Sequence, residues 1–445
     1  MIKVITYGTF DFLHFGHINL LRRAKALGDY LVVAITSDSF DKQRGKINVR
    51  QPLFERINAV KSLGIADEII VEEYVGQKID DIIKYGIDIF AIGSDWAGKF
   101  DYLEEYCKVV YLPRTVGISS TDVREENNKL KIGYIGNSSI LSKFYNETAY
   151  INGLKASLVL TDDREYIKLN AVDKNITFAN SVDECIKNSD AVYIVSAPEN
   201  NYSTVKHLLE KGISVISESP ICLSVAQFDD LVAEAESKKV KLFDSIKTAY
   251  STAYHRLILF AKSGIIGDIV SVDATCTSLS SSYAEEENAK WGSIYAWGPT
   301  ALLPVFQLLG IKYKKKDIKT SYQDGERTND KFTSINFTYE KAIANIKVGR
   351  GVKSEGQLII SGTKGCIFVP APWWKTDYFE VHYEDANRNR RYYYELNGEG
   401  IREMLLNFYD SVAFNKKSCM ISTEVSRAII KVIEDWKNKI DVTEI

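Results

Sequence analysis

The sequence predicts an α/β protein in which two units of alternating strands and helices precede a third, sheet-rich α+β unit. Three observations lead to this order. Short apolar runs alternate with helical patterns from residue 2 to about 124, a second such series starts at Lys131, and longer alternating strands follow residue 250. Alternation of strands and helices is typical of a parallel sheet that is covered by helices. We therefore expect two Rossmann-like domains followed by a sheet-rich domain.

The strand pattern sets the expected domain boundaries. The predicted strands lie at residues 4–7, 30–36, 68–73, 87–92 and 108–112 in the first unit, at 132–135, 158–160, 191–195 and 215–216 in the second, and at 335–339, 344–348 and 378–383 in the third. Polar residues at 125–128 interrupt the pattern, and two helices are predicted at 401–413 and 424–437. The expected domains are thus residues 1–126, 131–248 and 249–445.

Composition narrows the class of protein. A chain of 445 residues is too long for one core, and its net charge of -3 gives no basic surface for nucleic acid. The six cysteines show no short pair spacing that would suggest zinc. No apolar run approaches the ~18 residues of a membrane span. We expect a cytoplasmic enzyme without membrane insertion whose partners are small molecules or protein surfaces.

The most informative segment contains His14 and His17, two of the five histidines, directly after the first predicted strand. Gly16 between them allows backbone to approach a phosphate, and a helix that begins near His17 offers N–H groups. Both imidazoles can donate hydrogen bonds to charge that develops on a phosphorus atom. This spacing favours transfer of a nucleotidyl group. The alternative at this point is two histidines that cap a helix beside a tight turn.

Further segments carry groups that suit a triphosphate. Lys46 follows a short loop with Arg44 and Gly45, and Arg114 precedes a glycine and several hydroxyl residues that end at Thr121. Such a segment can hold phosphates through backbone donors and one guanidinium. Residues 93–101 follow the carboxyl end of a predicted strand, which is where open α/β sheets bind ligands. Trp96 in this segment is either a packing residue or one that stacks on a base.

Residues 4–11, 14–17, 28–34, 95–101 and 109–119 together resemble the bacterial glycerol-3-phosphate cytidylyltransferases, and the resemblance covers residues 1–126. It implies an HxGH nucleotidyltransferase domain that uses CTP and a polyol phosphate, with Mg2+ accompanying the nucleotide and no metal held by the protein alone. Two positions depart from the family: Ser94 replaces an aspartate and Val116 replaces a glutamate. These departures leave the identity of the acceptor open.

The same resemblance implies roles for individual residues. The catalytic residues would be His14, His17, Lys46 and Arg114. The nucleotide-binding residues would be Thr9, Phe10, Asp11, Gly16, Asp95, Trp96, Ser119 and Thr121. For Asp11, an aspartate that caps the following helix is the alternative.

Residues 131–440 resemble the glucose-fructose oxidoreductase and inositol dehydrogenase family (Gfo/Idh/MocA), which implies a dinucleotide-binding Rossmann domain and NAD(P). In the Gly-x-Gly-x-x-Gly turn only Gly136 remains, because Ser138 and Leu141 replace the later glycines. Asp162 either binds a ribose or forms a turn. The candidate cofactor site comprises Gly136, Ser138, Asp162, Pro198, Glu218 and Lys247.

The residues that this family uses for proton transfer are replaced. Ser219 stands in place of a lysine, and Ala296 and Thr300 stand where the family has aspartate and histidine. Lys247 is the remaining acid–base candidate, with a surface lysine or a salt-bridging lysine as the alternative.

Three hypotheses about function follow. The first is a cytidylyltransferase whose oxidoreductase-like half has lost hydride chemistry. The second is a bifunctional enzyme whose second half reduces a keto-phosphate with NAD(P)H and supplies the polyol phosphate. The third is a non-catalytic nucleotide sensor. Both families commonly form dimers, so a homo-oligomer is expected.

Overall fold

The computed structural model describes residues 1–13, 15–43, 49, 51–74, 76–113, 130–137, 139–151, 153–173, 175–279, 291–322, 328–394, 396, 398–416 and 419–445. The chain divides into two compact units, Met1–Lys129 and Leu130–Ile445. None of the described helices is long and apolar enough to cross a membrane.

The first unit contains a parallel sheet of five strands. These are β1 (Lys3–Gly8), β2 (Tyr30–Thr36), β3 (Glu68–Glu72), β4 (Ile89–Gly93) and β5 (Lys108–Leu112), in the order β3-β2-β1-β4-β5. The helices are α1 (Phe15–Lys25), α2 (Asp38–Gln43), α3 (Leu53–Ser62) and α4 (Gln77–Tyr85). Separate apolar clusters cover the two faces of the sheet. Burial on both faces explains why the strands are apolar almost throughout.

The second unit begins with a sheet of six strands. These are β6 (Leu130–Gly136), β7 (Leu154–Leu160), β8 (Thr177–Phe178), β9 (Ala191–Val195), β10 (Ser214–Glu218) and β11 (Leu242–Ser245), in the order β11-β10-β9-β6-β7-β8. All of its pairings are parallel. The helices are α5 (Ser139–Thr148), α6 (Arg164–Asn170), α7 (Val182–Asn188), α8 (Pro198–Glu210) and α9 (Val225–Lys238).

A mixed sheet of nine strands completes the second unit. Its strands are β12 (Ile269–Ser278), β13 (Lys315–Tyr322), β14 (Asp330–Thr338), β15 (Ile343–Arg350), β16 (Leu358–Gly362), β17 (Cys366–Val369), β18 (Tyr378–His382), β19 (Arg390–Tyr393) and β20 (Val442–Glu444). The order is β19-β18-β17-β16-β12-β15-β14-β13-β20. The helices are α10 (Thr252–Lys262), α11 (Ser293–Leu309), α12 (Ile401–Phe414) and α13 (Thr423–Lys437).

The predicted fold class is confirmed: a Rossmann-like domain precedes a second Rossmann domain and a sheet-rich region. The Ser224 hydroxyl caps α9 by accepting from the Gln227 N–H at 3.2 Å. The edge strand β20 was not predicted. It has only three residues, too few for a period-two pattern to stand out.

Candidate active site and a second cavity

The first candidate site lies at the carboxyl ends of the strands in the first unit. The strands β1 and β4 are adjacent, but β1 is followed by its neighbour on one side and β4 by its neighbour on the other. Ligands of open α/β sheets bind at such a switch point. Thr9, Phe10 and Asp11 follow β1 directly. A short 3-10 turn, Ser94–Trp96, follows β4. The topology therefore brings two of the predicted segments to one edge.

Phe10 holds the turn that leads into α1. Its backbone has a positive φ of 53°, and its ring is buried with its centroid 5.5 Å from that of His17 in an edge-on contact. A side chain at Gly8 would meet the Phe10 ring at 2.9 Å, so the ring needs a glycine there. His17 lies in the first turn of α1, at the positive end of the helix dipole. That position favours interaction with an anion.

A buried arginine holds the segments of this edge together. The Arg56 guanidinium, on α3, donates to the carbonyl of Thr9 at 2.6 Å and to that of Thr36 at 2.9 Å. It also pairs with the carboxylates of Asp38 at 2.5 Å and Asp41 at 3.8 Å. The Arg56 side chain is fully buried. One group thus ties the ends of β1 and β2 to helix α2.

The turn after β1 is fixed by a second set of hydrogen bonds. The Asp11 carboxylate accepts from the backbone N–H of Gln51 at 2.9 Å, and the Gln51 side chain accepts from the Phe12 N–H at 2.7 Å. The Thr9 hydroxyl donates to Asp41 at 3.1 Å. Thr9 and Asp11 are both nearly buried. Their observed contacts position the loop, and the predicted contacts with a nucleotide remain a prediction.

Trp96 lies at the same edge with 43% of its surface exposed. Its ring contacts Phe100 at 5.8 Å between centroids, and the Lys99 ammonium lies 5.2 Å from the ring centre. Asp95 beside it is exposed. One face of the indole is therefore packed while much of the ring remains accessible to a ligand.

Six of the predicted site residues lie outside the described part of the chain: His14, Lys46, Arg114, Ser119, Thr121 and Ser138. Val116, one of the two departures, also lies outside it. Among the described predictions, Gly16 and His17 lie on α1 at the edge that Thr9, Phe10 and Asp11 form. The roles of all these residues remain predictions.

Sequence reasoning missed Arg56. A signal was present, because Leu53, Arg56, Ile57 and Val60 are spaced as one face of a helix, and a charged residue within an apolar face requires a buried partner. Sequence reasoning also missed the polar group around Tyr7, whose hydroxyl donates to Asp81 at 2.8 Å while the Lys78 ammonium lies 4.5 Å from its ring centre. Burial, with the bond to Asp81, raises the pKa of Tyr7.

The turn after β6 in the second unit keeps the geometry of a dinucleotide-binding turn at its first glycine. Gly136 has a φ of +145°, and a Cβ there would lie 2.0 Å from the Val195 carbonyl oxygen. Asn137 follows, and its side chain donates to Asp162 at 2.7 Å and accepts from the Asp162 N–H at 2.8 Å. Asp162 comes just after β7, where a ribose-binding carboxylate would be placed.

The start of α5 departs from that geometry. Leu141, at the third glycine position, is fully buried and packs into the core with Phe144, whose ring stacks on Tyr193 at 3.8 Å. Helix and sheet are thus separated by large side chains where glycine would allow close approach. Gly136 and the Asp162 carboxylate fit a bound dinucleotide, but Leu141 at the start of α5 does not.

A cavity of about 290 Å³ lies at the carboxyl ends of β9, β10 and β11 and extends to the nine-stranded sheet. The predicted candidates Glu218 and Lys247 line it, whereas Pro198 is buried at the first position of α8 and does not. Ser219, Ala296 and Thr300, which replace the family's proton-transfer residues, also line it. The residues that replace the proton-transfer groups therefore face the space in which hydride chemistry would occur.

The ionisable groups of the cavity are strongly perturbed. Burial raises the pKa of Glu218, which accepts from the hydroxyls of Tyr193 at 2.9 Å and Ser245 at 2.5 Å. Burial lowers the pKa of Lys247, although Glu399 opposes the effect. The Lys247 ammonium pairs with Glu399 at 2.9 Å. Lys247 therefore forms a salt bridge, as one of the alternatives expected, and sequence analysis did not identify Glu399 as its partner.

Fold and edge geometry define the first unit as a nucleotidyltransferase-type α/β domain, and the comparisons agree. Residues 5–126 match the cytidylyltransferase-like family. The glycerol-3-phosphate cytidylyltransferase of Bacillus subtilis (strain 168) is 54% identical over 126 residues, which cover 28% of this chain and 97% of that protein. The enzyme of the same name from Staphylococcus aureus (strain NCTC 8325 / PS 47) is 46% identical over 126 residues, covering 28% of this chain and 95% of that protein. The chain belongs, through this part, to the glycerol-3-phosphate cytidylyltransferase family.

The second unit is oxidoreductase-like. Residues 130–245 match the oxidoreductase family with an NAD-binding Rossmann fold. A 3-ketoreductase from Actinomadura kijaniata, solved with NADP and TDP-benzene, superposes with a TM-score of 0.60 at 14% identity over 72% of this chain and 99% of that one. An oxidoreductase from Agrobacterium radiobacter, solved with NAD+, L-tartaric acid and magnesium, superposes with a TM-score of 0.60 at 14% identity. The superposition covers 70% of this chain and 96% of that one. At this identity the likeness shows the fold.

Gly136→Ala tests the turn after β6. The new methyl group would clash with the Val195 carbonyl, so we expect a loss of stability well above the ~1 kcal/mol that a positive φ alone costs. Gly212→Ala is the matched control, since Gly212 also has a positive φ but nothing within 4 Å of a Cβ. Urea denaturation measures both. Equal losses for the two variants would show that the close approach to Val195 carries no energetic weight.

Arg56→Met tests the buried guanidinium. It removes the donors to two carbonyls and leaves Asp38 and Asp41 without this cation. We therefore expect the free energy of unfolding of the first unit to fall by about 3–5 kcal/mol. Lys61→Met, an exposed change on the same helix, should alter stability by no more than about 0.5 kcal/mol. Chemical denaturation of the full chain measures the unfolding transition of the first unit for both variants. A loss for Arg56→Met as small as that for Lys61→Met would contradict the assigned role.

Proposed function

We propose that this protein transfers CMP from CTP to glycerol 3-phosphate or a related polyol phosphate and releases pyrophosphate. The observation that carries the proposal is the first unit's carboxyl edge, where Arg56 fixes the loop after β1 and the Phe10 ring of that loop contacts His17 in the first turn of α1. The family to which this part belongs supports CTP and a phosphate-bearing acceptor as substrates.

The proposed reaction needs positive charge rather than a base. An anionic oxygen of the acceptor phosphate attacks the α-phosphorus of CTP, and the bond from that phosphorus to the bridging oxygen of the β-phosphate breaks. Pyrophosphate leaves with the bonding electrons. Because the nucleophile is already ionised, no proton has to be removed. The protein's task is to stabilise charge on the phosphorus oxygens as they crowd together.

We propose a role in this task for each of the predicted site residues. His14 and His17 donate to the α-phosphate, Lys46 and Arg114 neutralise the triphosphate, and Ser119 with Thr121 hold its oxygens. Gly16 lets the backbone approach, and the exposed face of Trp96, with Asp95, suits a base. Thr9, Phe10 and Asp11 form the wall that Arg56 and Gln51 position.

Magnesium would add positive charge at the triphosphate when it is bound there. Among the described residues no group of three His, Cys, Asp or Glu side chains is arranged to hold a metal ion. We propose that the nucleotide's phosphates supply its ligands.

We propose that the second unit has lost hydride transfer. Its cavity carries serine, alanine and threonine at positions 219, 296 and 300, and none of these side chains can deliver the protons that reduction of a ketone requires. Gly136 and Asp162 suit NAD(P), whereas the buried Leu141 disfavours close contact between the pyrophosphate and α5.

We also propose three domains, at residues 1–126, 131–248 and 249–445, in a cytoplasmic homo-oligomer that binds neither nucleic acid nor membrane. The net charge of -3 supports the absence of nucleic acid. The family matches over residues 5–126 and 130–245 support the first two domains.

His17→Ala tests the transfer step. Loss of one donor to the reacting phosphate should lower kcat for pyrophosphate release by about 100- to 1,000-fold and change KM for CTP little. His207→Ala, an exposed histidine in the second unit that pairs with Asp183, is the matched control and should keep the wild-type rate. A His17→Ala enzyme that is folded and turns over at the wild-type rate would remove that side chain from the mechanism.

NADH and NADPH titrations test the second unit. We expect no oxidation of either cofactor with keto-phosphate substrates, measured as constant absorbance at the reduced-nicotinamide band, because the cavity lacks the family's acid–base groups. Oxidation that depends on a keto-phosphate and disappears in Lys247→Met would favour the bifunctional alternative instead.

A further inference from the structure

Two helices of the second unit are joined by an ion pair. The Arg402 guanidinium, at the start of α12, donates to the Glu147 carboxylate of α5 at 2.8 Å. The same guanidinium lies 4.2 Å from the ring centre of Tyr150. Only 18% of the Arg402 side chain and 16% of the Glu147 side chain are exposed. A shielded ion pair must keep its geometry, so this one couples the position of α5 to that of α12.

A second carboxyl group, that of Glu403, lies in the first turn of α12 beside this pair. Its Oε2 oxygen is shielded from solvent and has no hydrogen-bond partner among the described residues. Burial raises the pKa of Glu403 to about 7, and Glu147 adds to the effect while the Glu403 N–H and Arg402 oppose it. Two carboxyl groups thus share one guanidinium, and a proton on Glu403 supplies the missing positive charge.

The lysines near this cluster are already paired with another carboxylate. The elements packed against the start of α12 carry these ionisable groups: Lys143, Tyr145 and Glu147 on α5, Lys247 and Tyr250 on the 3-10 turn Lys247–Tyr250, and Glu399 on the turn before α12. Glu399 pairs with Lys143 at 3.3 Å and with Lys247 at 2.9 Å. Ionisation of Glu403 therefore adds a negative charge that these groups do not balance.

The turn that leads into α12 is held tightly on both sides. A Cβ at Gly398 would lie 2.6 Å from the Glu147 Oε2 oxygen, and one at Gly400 would lie 2.3 Å from the Lys247 carbonyl oxygen. Glu399 between them has a φ of 53°, which is unfavourable for a residue with a side chain. Such a conformation persists only when its surroundings fix it. The turn at residues 398–400 therefore depends on the contact between α5 and α12.

We propose that the contact between α5 and the start of α12 is a pH-sensitive switch, closed when Glu403 is protonated. When Glu403 loses its proton, its charge lies beside that of Glu147 and both carboxylates compete for Arg402. The contact then loosens, and the turn at residues 398–400 loses one of the surfaces that hold it. The switch needs no ligand and is separate from cytidylyl transfer.

The pKa of Glu403 sets the direction of the effect. An ordinary glutamate has a pKa of 4.5, so between 4.5 and about 7 the folded protein holds a proton that the unfolded chain has released. The contribution of Glu403 to stability is therefore fully present below pH 4.5 and is lost as the pH rises through about 7. Burial also raises the pKa of Asp244 and Asp330 to about 6, so only a comparison of variants isolates Glu403.

Urea denaturation of the full chain from about pH 5 to about pH 8 tests the proposal. Tryptophan fluorescence reports mainly on the second unit, which contains five of the six tryptophans. Glu403→Gln imitates the protonated form at every pH, so its unfolding midpoint should rise relative to the wild type by about 0.5 M urea over this range. Glu424→Gln, an exposed change in the first turn of α13, is the matched control and should keep the wild-type pH dependence.

Hydrogen exchange locates the change within the chain. Peptides from the start of α12 should exchange about tenfold faster at the upper pH in the wild type, after correction for the intrinsic rate, but not in Glu403→Gln. A difference in midpoint between the wild type and Glu403→Gln that is the same at every pH would overturn the proposal, because Glu403 would then be a structural residue. Corrected exchange of wild-type α12 that does not change with pH would overturn it without reference to any variant.

Discussion

The buried guanidinium of Arg56 is the interaction on which the geometry of the first unit depends. A parallel sheet delivers its loops to one edge, but it does not fix their conformations. Arg56 does so by bonding the carbonyls of Thr9 and Thr36 and pairing with carboxylates of α2. Because a buried arginine must keep its partners, movement of any one loop would leave a charge unpaired. These contacts therefore fix the loop after β1 without a bound ligand.

The second unit keeps the fold and the cavity of its family although the family's proton-transfer residues are replaced. Gly136 retains the turn that close packing against Val195 demands, and Asp162 retains its place after β7. The side chains that would move protons are replaced, yet the cavity persists with strong charges inside it.

Much of this organisation could be predicted from the sequence. The strands of the parallel sheets are buried on both faces, so their apolar runs predicted them. The segment around His17 predicted phosphate chemistry at the start of a helix. What the sequence could not show is pairing over long separations: Arg56 with Asp38, or Lys247 with Glu399, 152 residues apart. Such partners share no local pattern. Glu399 lies in a Gly-Glu-Gly run that a sequence describes only as a turn, and β20 was too short to recognise.

Transfer of a cytidylyl group to a polyol phosphate by the first unit can be followed by phosphorus NMR of the full chain with CTP, Mg2+ and glycerol 3-phosphate. We expect resonances of a new diphosphate diester and of pyrophosphate to grow in equal amounts while those of CTP decline. Unchanged CTP, or its conversion to CMP without a diester product, would contradict it.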